Sequence, residues 1–112
     1  MATTASAEER VFDDDMKLVA GLLVAATIYD IETTVAGLDR CKNCSEGNPF
    51  ARAVVANGRP AMYAVGLASD FVLVYAAYKL KERGYSWWWA LPAAGIAVHG
   101  LAGTMNLRFV LR

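Results

Sequence analysis

The chain has 112 residues, 56% of them hydrophobic, and its 11 acidic and 11 basic side chains cancel at neutral pH. That length holds one domain, and so large an apolar share is unusual for a water-soluble protein of this size, so a membrane class is the first expectation. Balanced charge excludes an extended basic surface for nucleic acid and a long acidic disordered tail.

Residues 1–16, beginning MATTASAEERVFDDD, form a polar, acidic N-terminal tail. They lack the basic start and short apolar stretch of a secretory signal, so the tail is expected on the solvent side. Asp13, Asp14 and Asp15 stand where a first helix would begin, and acids there complement the helix dipole and cap free backbone N–H groups.

Residues 17–112 read as a single all-α domain. It is expected to be an integral membrane bundle of three transmembrane helices, with a short interfacial helix in the first loop. The spans fall at about 18–38, 60–80 and 87–107, each near the roughly 20 residues that cross about 30 Å of hydrocarbon. Tyr78, Tyr85 and Trp87-Trp88-Trp89 supply amphipathic rings for a headgroup boundary, and Lys79, Lys81 and Arg83 anchor the short second loop.

The first loop is longer. Asn48 suits a helix cap and Pro49 a first-turn position, which predicts a short helix over about 49–57 with Phe50, Val54 and Val55 on one side and Arg52 off it. Such a helix lies along the interface or folds back over the bundle. Cys41-Lys42-Asn43-Cys44 lacks a second ligand pair for structural zinc and the strand-helix setting of a redox motif; it reads as a local disulfide or as two free thiols.

Three spans place five Lys or Arg on the side of the tail and second loop and six on the other. The KLKER cluster beside two helix ends, and an oxidising side for the cysteines, favour a cytoplasmic N-terminus.

Ionisable residues inside the spans set the functional question. Asp30 is eight positions before Leu38, Asp70 ten after Pro60 and His99 nine before Arg108. At about 1.5 Å per residue, all three lie roughly 12–15 Å below the first-loop face. Helical spacing groups Thr27, Asp30, Thr34 and Gly37 on one stripe, Tyr63, Gly66, Asp70 and Ala77 on the next, and Gly95, His99, Gly103 and Asn106 on the third. Small residues let the helices approach closely, so the polar residues on the same stripes face inward.

A lone carboxylate at the bilayer centre costs at least about 2.5–3.5 kcal/mol, which predicts that Asp30, Asp70 and His99 satisfy one another. Either the carboxylates share a proton, or His99 becomes cationic, or a cation neutralises them. Two oxygens and an imidazole nitrogen suit a divalent metal such as zinc, manganese or iron as cofactor. The plainest arrangement is a hydrogen-bonded Asp-His pair that only holds the bundle together. Glu32 points almost opposite Asp30 and is expected to snorkel, meet another chain or pair with Arg40. Thr104 and Asn106 are expected as interhelical hydrogen-bond partners.

Glu46-Gly47-Asn48-Pro49, following a helix that carries Asp30 and Thr34, resembles the loop of a group of small, mostly uncharacterised prokaryotic membrane proteins with Glu-x-Asn-Pro between their first two spans. The resemblance runs from about Tyr29 to Asn106. It implies a membrane fold in a prokaryotic inner or plasma membrane and marks Asp30, Glu46 and Asn48 as candidates. It transfers no activity. The cysteine pair and the tryptophan triplet are not features of that group.

Two functions follow. One is a polar site for a proton, cation or metal, used in transfer or membrane-embedded chemistry, with Asp30, Asp70 and His99 at its centre and Glu46, Asn48, Thr34 and Asn106 at its entrance or around it. The other is an accessory subunit docking against a larger membrane complex. Beyond the lipid bilayer, a homo-oligomer or such a complex supplies the partners. No nucleophile-His-acid arrangement or phosphate-binding glycine loop is visible, so no catalytic residue is assigned and enzyme activity is left open.

Overall fold

The computed structural model describes residues 10–40 and 49–111, the side chain of Phe50 aside. Among them there is no strand. Four helices of eight residues or more follow in order: α1 (Asp14–Arg40), α2 (Pro49–Ala56), α3 (Arg59–Glu82) and α4 (Ala90–Val110). The residues Cys41, Cys44, Glu46 and Asn48, singled out from the sequence, lie outside the described residues.

Local chemistry sets the ends. Asp13 precedes α1 and its carboxylate accepts the Met16 backbone N–H at 3.0 Å, so it is the cap, with Asp14 and Asp15 in the first turn. Pro49 opens α2, where its missing N–H costs no helical bond. Gly58, at φ 88°, turns the chain from α2 into α3. At the far end of α3 the Gly84 N–H donates to Lys81 O and the Tyr85 N–H to Leu80 O, with Gly84 at φ 86°. That pair of bonds is a Schellman cap, and it needs the left-handed residue that glycine supplies.

The third long helix starts later than its expected boundary. Trp87-Trp88-Trp89 form a turn before it. Had the helix begun at Trp87, Pro92 would fall in its interior and forfeit a backbone bond; starting at Ala90 puts Pro92 in the first turn. The indole of Trp88 instead lies under the Lys81 ammonium, 4.7 Å from its ring centroid.

α1 and α3 run antiparallel: Lys81 near the end of α3 pairs with Asp13 before α1, and Arg59 at the start of α3 pairs with Glu32. The Lys81 ammonium, and secondly the Met16 N–H, hold the Asp13 carboxyl below its usual range. α4 lies parallel to α1 and packs against it most extensively. Glycines set the spacing. A Cβ added at Gly66 would come within 2.9 Å of a Thr27 methyl, and one at Gly95 within 2.8 Å of both Leu23 and Leu73.

α1 and α3 are long and apolar enough to cross a membrane by length and composition. α4 spans 21 residues, but Pro92, His99, Thr104 and Asn106 keep it below that hydropathy. Two of the three expected spans therefore meet the criterion. Beside apolar Met16, Leu23, Ile31 and Met62 the interior holds Thr27 and Asp70, 0% and 2% exposed, whereas Phe71 and Leu101 are 70% and 66% exposed. Large apolar side chains on the outer faces are compatible with a bilayer around α1 and α3.

Candidate functional site at the Asp30–His99 pair

α1 and α4 meet through a set of half-buried polar side chains. His99 Nδ1 lies 2.7 Å from Asp30 Oδ2. A carboxylate only accepts, so with Asp30 ionised the ring carries its hydrogen on Nδ1 and donates it. Thr34 Oγ donates to the Asp30 carbonyl at 2.7 Å and makes a long 3.4 Å contact with Asp30 Oδ1. The Asn106 amide donates to Thr34 Oγ at 2.9 Å and to Thr33 Oγ at 3.2 Å. One turn across, the Tyr29 hydroxyl meets Thr104 Oγ at 3.2 Å, its ring packed on Gly103.

These contacts follow from register. Asp30, Thr33 and Thr34 share the side of α1 that meets α4, and His99, Gly103 and Asn106 recur at spacings of four and three on the facing stripe. Thr33 and Thr34 also return their hydroxyls to carbonyls three or four residues earlier, so each stays satisfied while accepting from Asn106.

Asp70 is placed differently. It is 2% exposed, and neither carboxylate oxygen has a hydrogen-bond partner among the described residues. Gly66, one turn earlier, faces Thr27 and Ile31, while Lys81 reaches Asp13. This register sets Asp70 level with about Leu23 to Thr27, one to two turns from Asp30 toward the tail end, on the order of 8 Å. The three ionisable groups thus do not share one layer, and among the described residues no set of three His, Cys, Asp or Glu side chains could hold a metal ion.

Glu32 takes part in a separate cluster. Its two oxygens accept from Arg59 Nε and Nη2, both at 3.0 Å, and one also accepts from the Tyr63 hydroxyl at 2.7 Å. Arg40 donates instead to the Val110 carbonyl at 3.0 Å. The expected Glu32–Arg40 pair is replaced because eight helical residues separate those side chains by about 12 Å along one axis, whereas Arg59 arrives from the antiparallel neighbour. The spacing of Arg59 and Tyr63, one turn apart on one face, was the available signal.

A cleft of about 200 Å³ adjoins the Asp30–His99 pair. Thr27, Asp30 and Thr34 of α1, with His99 of α4, form its polar wall. Met62, Val65 and Ser69 line the α3 side, and Ala51, Val54 and Val55 of α2 close it. The short helix therefore folds back over the bundle. Val65 and Ser69 are exposed, so the cleft reaches the lateral surface.

A family model described as a domain of unknown function (DUF5658) matches residues 21–112. The chain belongs to the DUF5658 family. The matched segment contains every member of the Asp30–Thr34–His99–Asn106 set and the whole cleft wall, so the site lies inside the DUF5658 unit, and the Asp13 cap lies before it. No curated protein and no solved structure matches the chain.

Proposed function

We propose that the chain is a three-span protein of a prokaryotic inner or plasma membrane, with a cytoplasmic N-terminus, that takes up a proton or other cation at the Asp30–His99 pair. The single observation carrying this reading is the 2.7 Å contact between the two side chains at the wall of the cleft. Intramembrane ionisable groups are costly and face a bundle interior or cavity where they mark ion and proton paths. α4 joins α1 and α3 as the third span on this reading: it packs along the length of α1 and turns Val98, Leu101 and Met105 outward.

A pair of ligands favours a proton or a cation of low coordination demand over a divalent metal, which needs at least three protein groups. Asp70 stands apart as a buried acid in the same bundle, one to two turns further along.

The test uses purified protein in liposomes that enclose a pH-sensitive dye and carry an imposed proton gradient. The wild type is expected to collapse the gradient faster than protein-free vesicles, and Asp30→Asn and His99→Ala to abolish the difference. Wild-type vesicles indistinguishable from empty ones would overturn the reading. Comigration with a larger membrane complex, unaffected by either substitution, would then support an accessory subunit.

A further inference from the structure

Among the described residues, the cleft beside the Asp30–His99 pair has a polar wall whose side chains, with Asp30 ionised and His99 neutral, accept hydrogen bonds and offer none. Thr27 Oγ donates to Leu23 O at 3.0 Å, Thr34 Oγ to Asp30 O at 2.7 Å and Ser69 Oγ to Val65 O at 2.8 Å. Each hydroxyl hydrogen on the wall is therefore committed to a backbone carbonyl, and only lone pairs remain. The amide of Asn106, a donor beside the wall, is turned to Thr33 and Thr34. With Asp30 ionised and the ring neutral, His99 gives its Nδ1 hydrogen to Asp30 and Nε2 remains an acceptor. Asp30 Oδ1 receives only the long contact from Thr34.

The remaining lining is aliphatic: Ile31, Val54, Val55, Met62 and Val65 surround the space. About 200 Å³ is below the roughly 300–1,000 Å³ of drug-sized pockets and suits a small molecule with an apolar body. We infer that this cleft binds a small organic ammonium ion, its N–H groups on Asp30 Oδ1, His99 Nε2 and the hydroxyl oxygens, and its hydrocarbon part between α2 and α3.

The match is one of charge and hydrogen-bond polarity together. An ammonium brings donors and one positive charge to a wall that has acceptors and one carboxylate, and charge-assisted bonds of this kind are the strong ones in a poorly hydrated site. A carboxylate or phosphate ligand would set acceptor against acceptor. A neutral alcohol brings one donor and no charge. The inference rests on the reading of Asp30–His99 as a cation site and narrows the cation to a class.

The chain contains one histidine, so its imidazole resonances report His99 without assignment ambiguity. Full-length protein in nanodiscs, labelled at histidine, is titrated with n-hexylammonium, hexan-1-ol and hexanoate, with affinity followed by calorimetry. Hexylammonium is expected to shift the His99 resonances saturably, and hexanoate not to. Hexan-1-ol should bind at least about tenfold more weakly, the scale of a charge-assisted bond over a neutral one. Asp30→Asn should weaken hexylammonium by a similar factor. Ala51→Trp, which fills the cleft from the α2 side and leaves Asp30 and His99 themselves unchanged, should block it; this variant keeps the test decisive if Asp30→Asn does not fold. Equal affinity for the alcohol and the ammonium, unchanged ammonium affinity in Ala51→Trp, or no saturable shift in the wild type would overturn the inference. Proton-gradient collapse that persists in wild-type liposomes under those outcomes leaves the broader cation reading standing, whereas loss of both removes the site itself.

Discussion

Gly103 lies flat against the ring of Tyr29, so close that a Cβ on the glycine would come within 2.5 Å of two ring carbons. That contact holds α4 against α1 at the level where the Tyr29 hydroxyl reaches Thr104, one turn from the Asp30–His99 pair. Gly103→Val should force the helices apart and destabilise the bundle by about 1–3 kcal/mol, the usual cost of overpacking. Gly100→Ala is the control, because a methyl there meets nothing within 4 Å. Chemical unfolding in mixed micelles, followed by circular dichroism, measures both. Equal tolerance of the two changes would contradict the close approach.

The Asp13–Lys81 ion pair gives the bundle a pH dependence of defined sign. Lys81, with help from the Met16 N–H, holds the Asp13 carboxyl below its usual value. A carboxyl depressed in the folded state stabilises that state fully above its unfolded pKa, and the contribution disappears as pH falls through the lower folded value. Thermal melts of wild type and Asp13→Asn should differ at neutral pH and converge in acid. A gap that stays constant from neutral to strongly acidic pH would show that the substitution acts through the helix cap alone.

Asp70 carries a prediction opposite to that for most buried polar residues. Its carboxylate oxygens accept no hydrogen bond among the described residues, while the side chain is 2% exposed. An unsatisfied buried polar group costs roughly 1–3 kcal/mol. Asp70→Leu should therefore raise stability by about that amount, less any strain from the different shape. A fall in stability would mean that Asp70 has a partner beyond the described residues.

The Glu32 cluster is arranged around one carboxylate that receives three hydrogen bonds. Glu32→Gln should lower the melting temperature more than Tyr63→Phe, which removes a single donor. In the double variant the Tyr63→Phe effect should shrink, because its partner has already lost its charge. Strict additivity of the two changes would argue against direct coupling.

Much of this architecture was legible in local sequence. The Asp13 cap, Pro49 at a helix start and the small residues at Gly66, Gly95 and Gly103 act through neighbours within a turn or through facing stripes, and such signals survive without knowledge of the tertiary fold. The stripe argument likewise places Asp30 on the face of α1 toward His99. Depth was less legible. Counting residues inward from each span assumes level helix ends, but α3 is set by Arg59 on Glu32 and Lys81 on Asp13, which drops Asp70 one to two turns from the pair. The start of α4 was hidden for a related reason: the apolar run begins at Trp87, and only Pro92 determines that the helix waits until Ala90.

The most direct test of the central claim is a solid-state NMR distance measurement in lipid bilayers between the 15N-labelled Nδ1 of His99 and the 13C-labelled side-chain carboxyl of Asp30. Strong recoupling is expected, with the hydrogen on Nδ1, lost from the histidine signal in Asp30→Asn. A ring nitrogen that shows no coupling to the carboxyl, in protein that is folded and inserted, would contradict it.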